Sequence, residues 1–405
     1  MRIGIARVAD LGLKIGIVGL GAVGAIGLSA QAPPTGEQDA YTRIELMAAP
    51  GGRTFKVVHD VSVTTSGALS FSLALPSGVQ AVDARATDLM TGAALTVRDR
   101  MTVVRPGEAA ARSLVVTLAR QVPRDGQGRI RVEFTGRDAQ RFKEVGTALS
   151  FTFPLRAPRG TIVLPAGYEL LSSDIPAQVL SEADGRIAVS YMHQIAGAAT
   201  MTLTMRAGVP TGAAAAPKAL TNARSWEPGG QKPTERARLT ERATQDRDIV
   251  YFLQEPTTNA FSLYHDYTET RPGVDKYVNV VRTGSRVSNP SAYILDTGEV
   301  LRHETLKGEA ITAAKVDAGT ITPETEVVVI HFTPVKAGQS IRLRITETYT
   351  HPESYRLDGT DLVFERNLGR TRNSVVLPAG WYLTASSIPA AVSYTHLTLP
   401  TKGIV

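Results

Sequence analysis

Two His-Asp pairs are the residues best suited to chemistry in this chain, His59-Asp60 and His265-Asp266. A histidine oriented by an aspartate is a general base that activates a hydroxyl or a water. Both pairs sit in matching local sequence, Phe55-Lys-Val-Val-His-Asp60 and Phe261-Ser-Leu-Tyr-His-Asp266. That pattern alternates as a strand does, and neighbouring side chains of a strand point to opposite faces. Phe55, Val57, His59, Val61 and Val63 then share one face, with Asp60 on the other. The spacing predicts core-facing histidines with satisfied ring nitrogens, and aspartates that are exposed or bonded in turns. It does not predict a dyad.

The other chemical signals are weaker. His303-Glu304 begins like a zincin helix motif, but the required second histidine would fall at Lys307. His193, His331 and His351 stand alone in sequence. Gly19-x-Gly21-x-x-Gly24 matches the dinucleotide fingerprint. Only eight residues separate Gly24 from Pro33-Pro34, too few for the crossover helix, and no βαβ alternation follows. There is no phosphate loop and no Gly-x-Ser-x-Gly elbow. The chain has no cysteine, which excludes thiolate metal sites and cysteine nucleophiles. No catalytic, cofactor-binding or metal-ligating residue is assigned, and no enzymatic role or cofactor is expected. Tyr264, Tyr267 and Tyr277 flank a polar hairpin and could form a face that contacts sugar or peptide. Ordinary strand composition accounts for them as well, because tyrosine favours strands.

The elements that must position these residues occur twice. Val163-Leu-Pro-Ala-Gly-Tyr-Glu-Leu-Leu-Ser-Ser-Asp-Ile-Pro-Ala177 returns as Val376-Leu-Pro-Ala-Gly-Trp-Tyr-Leu-Thr-Ala-Ser-Ser-Ile-Pro-Ala390, at an offset of 213. Arg129-Ile-Arg-Val132 faces Arg342-Leu-Arg-Ile345 at that offset, and Leu114-Val-Val116 faces Val327-Val-Val329. Nearer the N-terminus the offset is 206, which predicts a seven-residue loop insertion between about Leu301 and Val327. Copy one covers 41–207, a linker covers 208–247 and copy two covers 248–391. Alternating runs such as Arg129–Phe134 and Ile341–Ile345, punctuated by Gly and Pro turns, make both copies all-β. The expectation is two tandem antiparallel β-sandwich domains, immunoglobulin-like, from an internal duplication. Leu-Pro-Ala-Gly reads as a type I turn with proline second and glycine fourth.

Residues 1–32 read as a signal peptide: Arg2, Arg7 and Lys14, an apolar run Ile15 to Leu28, then Ala30-Gln31-Ala32. The apolar run is shorter than the ~20 residues of a membrane span, so an exported, periplasmic or extracellular protein without a stable span is expected. Val392 to Thr401 is what GTC TCT TAT ACA CAT CTG ACG CTG CCG ACG encodes, a string like a sequencing-library adaptor. Residues 392–405 therefore read as translated adaptor. Copy two then reads as truncated, without counterparts of Arg186–Tyr191 and Thr200–Arg206, and with an unpaired sheet edge. The net charge of +6 comes with no Lys/Arg run interleaved with aromatics, which argues against a nucleic-acid partner.

Asp248-Ile-Val-Tyr-Phe-Leu-Gln-Glu-Pro256, Tyr264-His-Asp-Tyr-Thr-Glu-Thr-Arg-Pro-Gly-Val274 and the Val-Leu-Pro-Ala-Gly motifs resemble a group of exported bacterial tandem β-sandwich proteins of unassigned activity. The resemblance covers most of 41–391. More distantly, the architecture resembles the N-terminal β-domains that precede the catalytic domains of zinc aminopeptidases. The zinc-binding helix motif is absent, so no catalytic residue carries over. These resemblances imply a non-catalytic protein that binds or scaffolds a protein, peptide or glycan at the cell envelope. The alternative they leave open is a pair of accessory N-terminal β-domains of a larger, peptidase-like hydrolase.

Overall fold

A computed structural model of the chain describes residues 2–7, 37–49, 52–102, 111–192, 199–208, 247–368, 372–388 and 390. The Gly19–Gly24 motif, most of the leader, the body of the linker and the 392–405 tail lie outside the described residues. Strands are numbered along the chain, beginning with β1 (Arg2–Arg7), which belongs to the second half.

In the first half, β2 (Glu37–Ala49) and β3 (Gly52–Val63) form a long antiparallel hairpin. β3 pairs with β9 (Gly128–Arg137), and β9 with β5 (Gln80–Asp88), which carries the short β6 (Ala94–Leu95). On its other side β2 runs parallel to β12 (Arg159–Val163), followed by β15 (Ile187–Met192) and β14 (Ala177–Ser181). Two smaller sheets complete the half. One is β10 (Phe142–Val145), β11 (Ala148–Leu155), β16 (Ala199–Ala207) and β13 (Tyr168–Ser173). The other is β4 (Ser70–Ala74), β8 (Ala111–Thr117) and β7 (Val97–Thr102).

The second half repeats this order. β18 (Ala260–Glu269) lies between β17 (Arg247–Leu253) and β23 (Ile341–Thr350), with β20 (Arg286–Ile294) and β26 (Arg372–Val376) outside them. β19 (Lys276–Val280), β22 (Glu326–His331) and β21 (His303–Lys307) form the three-stranded sheet. β24 (Tyr355–Asp358), β25 (Asp361–Glu365), β1 and β27 (Trp381–Ser386) form the four-stranded one. The fold is all-β, and among the described residues the strand pairs are antiparallel except for one parallel pair in each half, β2/β12 and β17/β26. Parallel neighbours need a long crossover, and the strands between them supply it. Among the described residues no helix is long and apolar enough to cross a membrane.

Period-two patterning explains the cores. Ile130, Val132 and Phe134 of β9 point inward with Phe55, Val57 and Val61 of β3. Phe55 is ringed by Phe142, Phe151 and Phe153, with centroids 6.5, 5.6 and 5.4 Å away. Gly136 makes room for it, because a Cβ there would lie 2.3 Å from the Phe55 ring.

Three expectations change. The Leu-Pro-Ala-Gly turn begins one residue later than predicted. The N–H of Tyr168 donates to the carbonyl of Pro165 at 3.2 Å, and that of Trp381 to Pro378 at 3.2 Å. Proline is the first residue of the turn and glycine the third, with φ of 76° at Gly167 and 82° at Gly380. A positive φ at the third position defines type II, and glycine adopts it without strain.

The second change is one of register. Phe71 opposes Val116, whereas Tyr277 opposes Ile330. β8 and β22 therefore correspond at an offset of 214, so Val328 and Ile330, not Val327 and Val329, join the main core. A one-residue slip turns a strand's other face inward. The extra residues before β22 carry a short helix, Glu309–Ala313, whose Ile311 packs with Val316, Val327 and Val329. The run Val327–Ile330 is apolar throughout because both faces of β22 are covered.

Third, the absent counterparts of β15 and β16 leave different edges: among the described residues β26 ends its sheet with an unpaired side, as expected, whereas β1 lies between β25 and β27 in the place that β16 holds in the first half. A free edge invites another strand, and here the chain's own first residues provide it.

The two halves are locked together by a buried ion pair. Arg129 Nε donates to Asp296 Oδ1 at 2.7 Å and Nη2 to Oδ2 at 3.0 Å, with the side chains only 7% and 2% exposed. Arg129 also donates to the carbonyl of Ser340, whose hydroxyl donates to the carbonyl of Leu89 at 2.6 Å. The N–H of Gln127 donates to the carbonyl of Leu295 at 2.8 Å. Asp296→Ala strands a buried guanidinium and is expected to cost about 3–5 kcal/mol, whereas Arg129→Met with Asp296→Leu recovers most of that loss. Urea unfolding of both variants measures this.

Candidate functional site

The inner face of the second half carries a chain of polar and aromatic side chains where the first half is apolar. Strand register sets the comparison, since β3 and β18 differ by 206 and β9 and β23 by 213. Val61 and Val63 become Tyr267 and Glu269. Phe71 and Leu73 become Tyr277 and Asn279. Phe134 and Gly136 become Glu347 and Tyr349, and Phe153 becomes Arg366. The histidine is kept.

At one end of this seam, Tyr267 donates its hydroxyl to Glu269, and both residues are 1% exposed. Arg271 closes the arrangement, its Nη2 2.6 Å from Glu269 Oε2. Hydrogen bonds from Arg271 hold the Glu269 carboxyl below the usual range against the opposing pull of burial. Burial raises the Tyr267 phenol. The Arg247 guanidinium lies over the rings of Tyr267 and Tyr277, 4.6 and 5.6 Å from their centroids. His265 Nδ1 is 3.4 Å from the Tyr277 hydroxyl.

Two residues along β19, Asn279 Nδ2 donates to Glu347 Oε1 and Oε2 at 2.9 and 2.7 Å and lies 2.8 Å from the Tyr349 hydroxyl. Burial pushes the Glu347 carboxyl above the usual carboxylate range, with the Asn279 and Tyr349 hydrogen bonds opposing the shift. Phe261 keeps the place of Phe55. It stacks on Tyr349 at 5.9 Å, and Arg366 sits 5.0 Å over its ring where Phe153 sits in the first half. Tyr277, Asn279 and Arg366 are half-buried, so the seam reaches the surface along β19. A carboxyl that burial inclines towards its protonated form, an amide, phenols and guanidinium groups are the donors and acceptors with which a surface can contact polar or aromatic groups.

The structure brings Tyr267 and Tyr277 together, with ring centroids 5.0 Å apart. Tyr264 lies on the opposite face of β18, beneath the Arg344 guanidinium at 4.1 Å. Glu347, Asn279, Tyr349 and Arg366 were not singled out from sequence. Their signal was present in the repeat itself, as apolar-to-polar exchanges at matched core positions.

The aspartates of the His-Asp pairs are neither free nor turn-bonded. Arg131 Nε and Nη2 donate to the two oxygens of Asp60, both at 2.7 Å. Arg344 grips Asp266 in the same way at 2.8 Å. Both histidines face the core. His59 Nδ1 is 2.9 Å from Thr42 Oγ1, and its Nε2 has no partner among the described residues and borders a cavity of about 30 Å³. His331 is not isolated, because its Nε2 meets Glu304 Oε1 at 2.7 Å. His351 Nδ1 accepts from the Ser354 N–H at 3.0 Å and shapes a turn. Among the described residues no group of three or more His, Asp or Glu could hold a metal ion. A larger, open groove of about 1170 Å³ lies in the first half, bordered by Met47, Arg53, Arg137, Glu144 and Tyr168.

No protein-family model and no curated protein matches this chain. Among solved structures, it is similar to an M1 zinc metallopeptidase from Deinococcus radiodurans at 13% identity, over 42% of each chain, with a TM-score of 0.28. A mutant of an M1 zinc metallopeptidase from the same organism, bound to a Tyr-Ser-Ala substrate, matches at 13% identity with a TM-score of 0.29. A two-domain M1 zinc metallopeptidase mutant bound to L-arginine matches at 14% identity with a TM-score of 0.28. The match spans 42–43% of the length of those chains.

Burial holds His59 down to about 4, against an ordinary value of 6.5. The unfolded chain takes up a proton near pH 6.5 that the folded chain refuses until about pH 4. Stability is therefore fully present above pH 6.5 and falls between these values, by about 3 kcal/mol. His59→Gln should lose that slope, which urea melts across the range detect. Glu347 has the opposite sign, because its raised carboxyl favours the folded state when protonated. Glu347→Gln should gain stability relative to wild type as pH rises from the ordinary carboxylate range upward, with no gain in acid below it, in the same melts.

Proposed function

We propose that the protein is an exported, non-catalytic tandem β-sandwich of the cell envelope that binds a protein, peptide or glycan through its second half. The observation that carries this reading is the polar seam. The first half shows that the same strand framework closes with valine, leucine, phenylalanine and glycine at these positions. Buried polar groups are costly unless they are satisfied, and even satisfied networks are seldom better for stability than an apolar core. Their presence in one copy alone fits a role in recognition, with the half-buried Tyr277, Asn279 and Arg366 as the contacting residues. The first half then serves as a support, held to the second by Arg129–Asp296. The shared strand order of the halves supports their origin by duplication of an immunoglobulin-like unit. The leader-like residues 1–32 support export to the periplasm or beyond.

The test transplants the first half's residues into the second: Asn279→Leu, Glu347→Phe, Tyr349→Gly and Arg366→Phe together. The quadruple variant should fold with stability equal to or above wild type and lose binding on an array of peptides and envelope glycans. Equal binding by both proteins, or none by either, contradicts the reading. So does hydrolysis of peptide or ester substrates that disappears in His265→Ala.

A further inference from the structure

We propose that the outer face of the second half's five-stranded sheet is a binding site separate from the seam, where a neutral, unbranched glycan lies along a row of rings. The row crosses four neighbouring strands. Phe252 of β17 lies against Tyr264 of β18, with ring centroids 5.8 Å apart. The Arg344 guanidinium of β23 sits 4.1 Å over the Tyr264 ring. Tyr293 of β20 is the register partner of Arg344. All four side chains lie on the face that Asp266 shares, opposite the core. Each is half-buried and keeps part of its surface open. Neighbouring strands are about 4.8 Å apart, which gives the row a length of about 14 Å.

The first half shows that the strand framework does not require this surface. Matched by register, Arg43, Glu45, Lys56, Arg85 and Glu133 stand there on the same face. Arg43 pairs with Glu45 at 2.8 Å, and Glu133 with Arg85 at 2.9 Å and Lys56 at 3.8 Å. In the second half these five positions are Val250, Phe252, Ser262, Ser291 and Thr346. Val58 and Thr87 become Tyr264 and Tyr293. The Asp60–Arg131 pair is kept, as Asp266–Arg344. Charge has given way to rings and short hydroxyl side chains in the middle of the face. An aromatic ring packs against the C–H face of a pyranose, and serine and threonine hydroxyls both donate to and accept from sugar hydroxyls. A protein contact needs an apolar centre. Among the described residues of these four strands, the outer face carries no leucine, isoleucine or methionine. An anionic glycan needs an uncommitted cation beside the rings, and Arg344 is committed to Asp266. None of the four strands is β26, so the row does not depend on what pairs with its open side. Row and seam lie on opposite faces of β18 and β23, so the two readings fail separately.

The experiment titrates the full chain by calorimetry with cellohexaose, maltohexaose and laminarihexaose, and with an oligogalacturonate of the same length. At least one neutral sugar should bind, and more tightly than the oligogalacturonate. Phe252→Glu, Tyr264→Val and Tyr293→Thr together restore the first half's residues and should weaken that binding about tenfold or more. Tyr264→Phe keeps the ring and should bind like wild type, whereas Tyr264→Val alone should weaken binding about fivefold or more. This pair decides the matter if the triple variant does not fold. The proposal is overturned if no neutral sugar binds, or if the oligogalacturonate binds as tightly. It is also overturned if the triple variant, shown folded by its far-ultraviolet spectrum, binds as tightly as wild type, or if Tyr264→Val binds as well as Tyr264→Phe. A wild-type dimer in light scattering that the triple variant turns into a monomer overturns it too, because the face then belongs to a second copy of the chain.

Discussion

The arginine–aspartate pair across the central strands, Asp60–Arg131 in one half and Asp266–Arg344 in the other, is the interaction on which the remainder of each half depends. In a sheet, a shift of one residue exchanges the two faces. Two parallel hydrogen bonds between a fork-shaped guanidinium and a carboxylate suit one register and no neighbouring one. Once β18 and β23 are pinned in this way, His265 and Tyr267 of β18 and Glu347 and Tyr349 of β23 must face inward. The same pin in the first half turns His59 and Phe134 inward.

Arginines two residues earlier in the same strands show how differently matched positions of the two halves are used. Arg129 reaches across to Asp296 and joins the halves. Arg342 stays within its own half, donating to Asp248 and Thr268 at 2.8 Å. Asp296 serves both, because it also accepts from the Arg342 N–H at 3.0 Å. Burying such charges is tolerable only when they are paired, and each arginine meets a carboxylate. The tandem is consequently one body built from two similar parts, each arginine doing a different task.

The two cores follow opposite policies within one topology. The first is aromatic and aliphatic around Phe55, with a glycine cleared for its ring. The second keeps Phe261 but surrounds it with Tyr349, Tyr355, Phe364 and Arg366. It also takes its last strand from outside its own span. Both departures make the second half depend on interactions that the first half does without.

The amino-acid sequence by itself determined the all-β class, the duplication signal and the inward histidines, because these rest on local alternation and on matched residues. It also bracketed the insertion between about Leu301 and Val327, since an offset registers any added length. Tertiary structure alone decided which face of β22 is core, because an apolar run covered on both sides has no period to read. It decided that Asp60 and Asp266 are gripped by arginines from distant strands, a pairing no local pattern encodes. It placed Tyr264 apart from Tyr267 and Tyr277, since odd and even positions of a strand part company only once the sheet is oriented. And it put Arg2–Arg7 in the second half's sheet, because a strand pairs with any compatible edge within reach, whatever its distance along the chain.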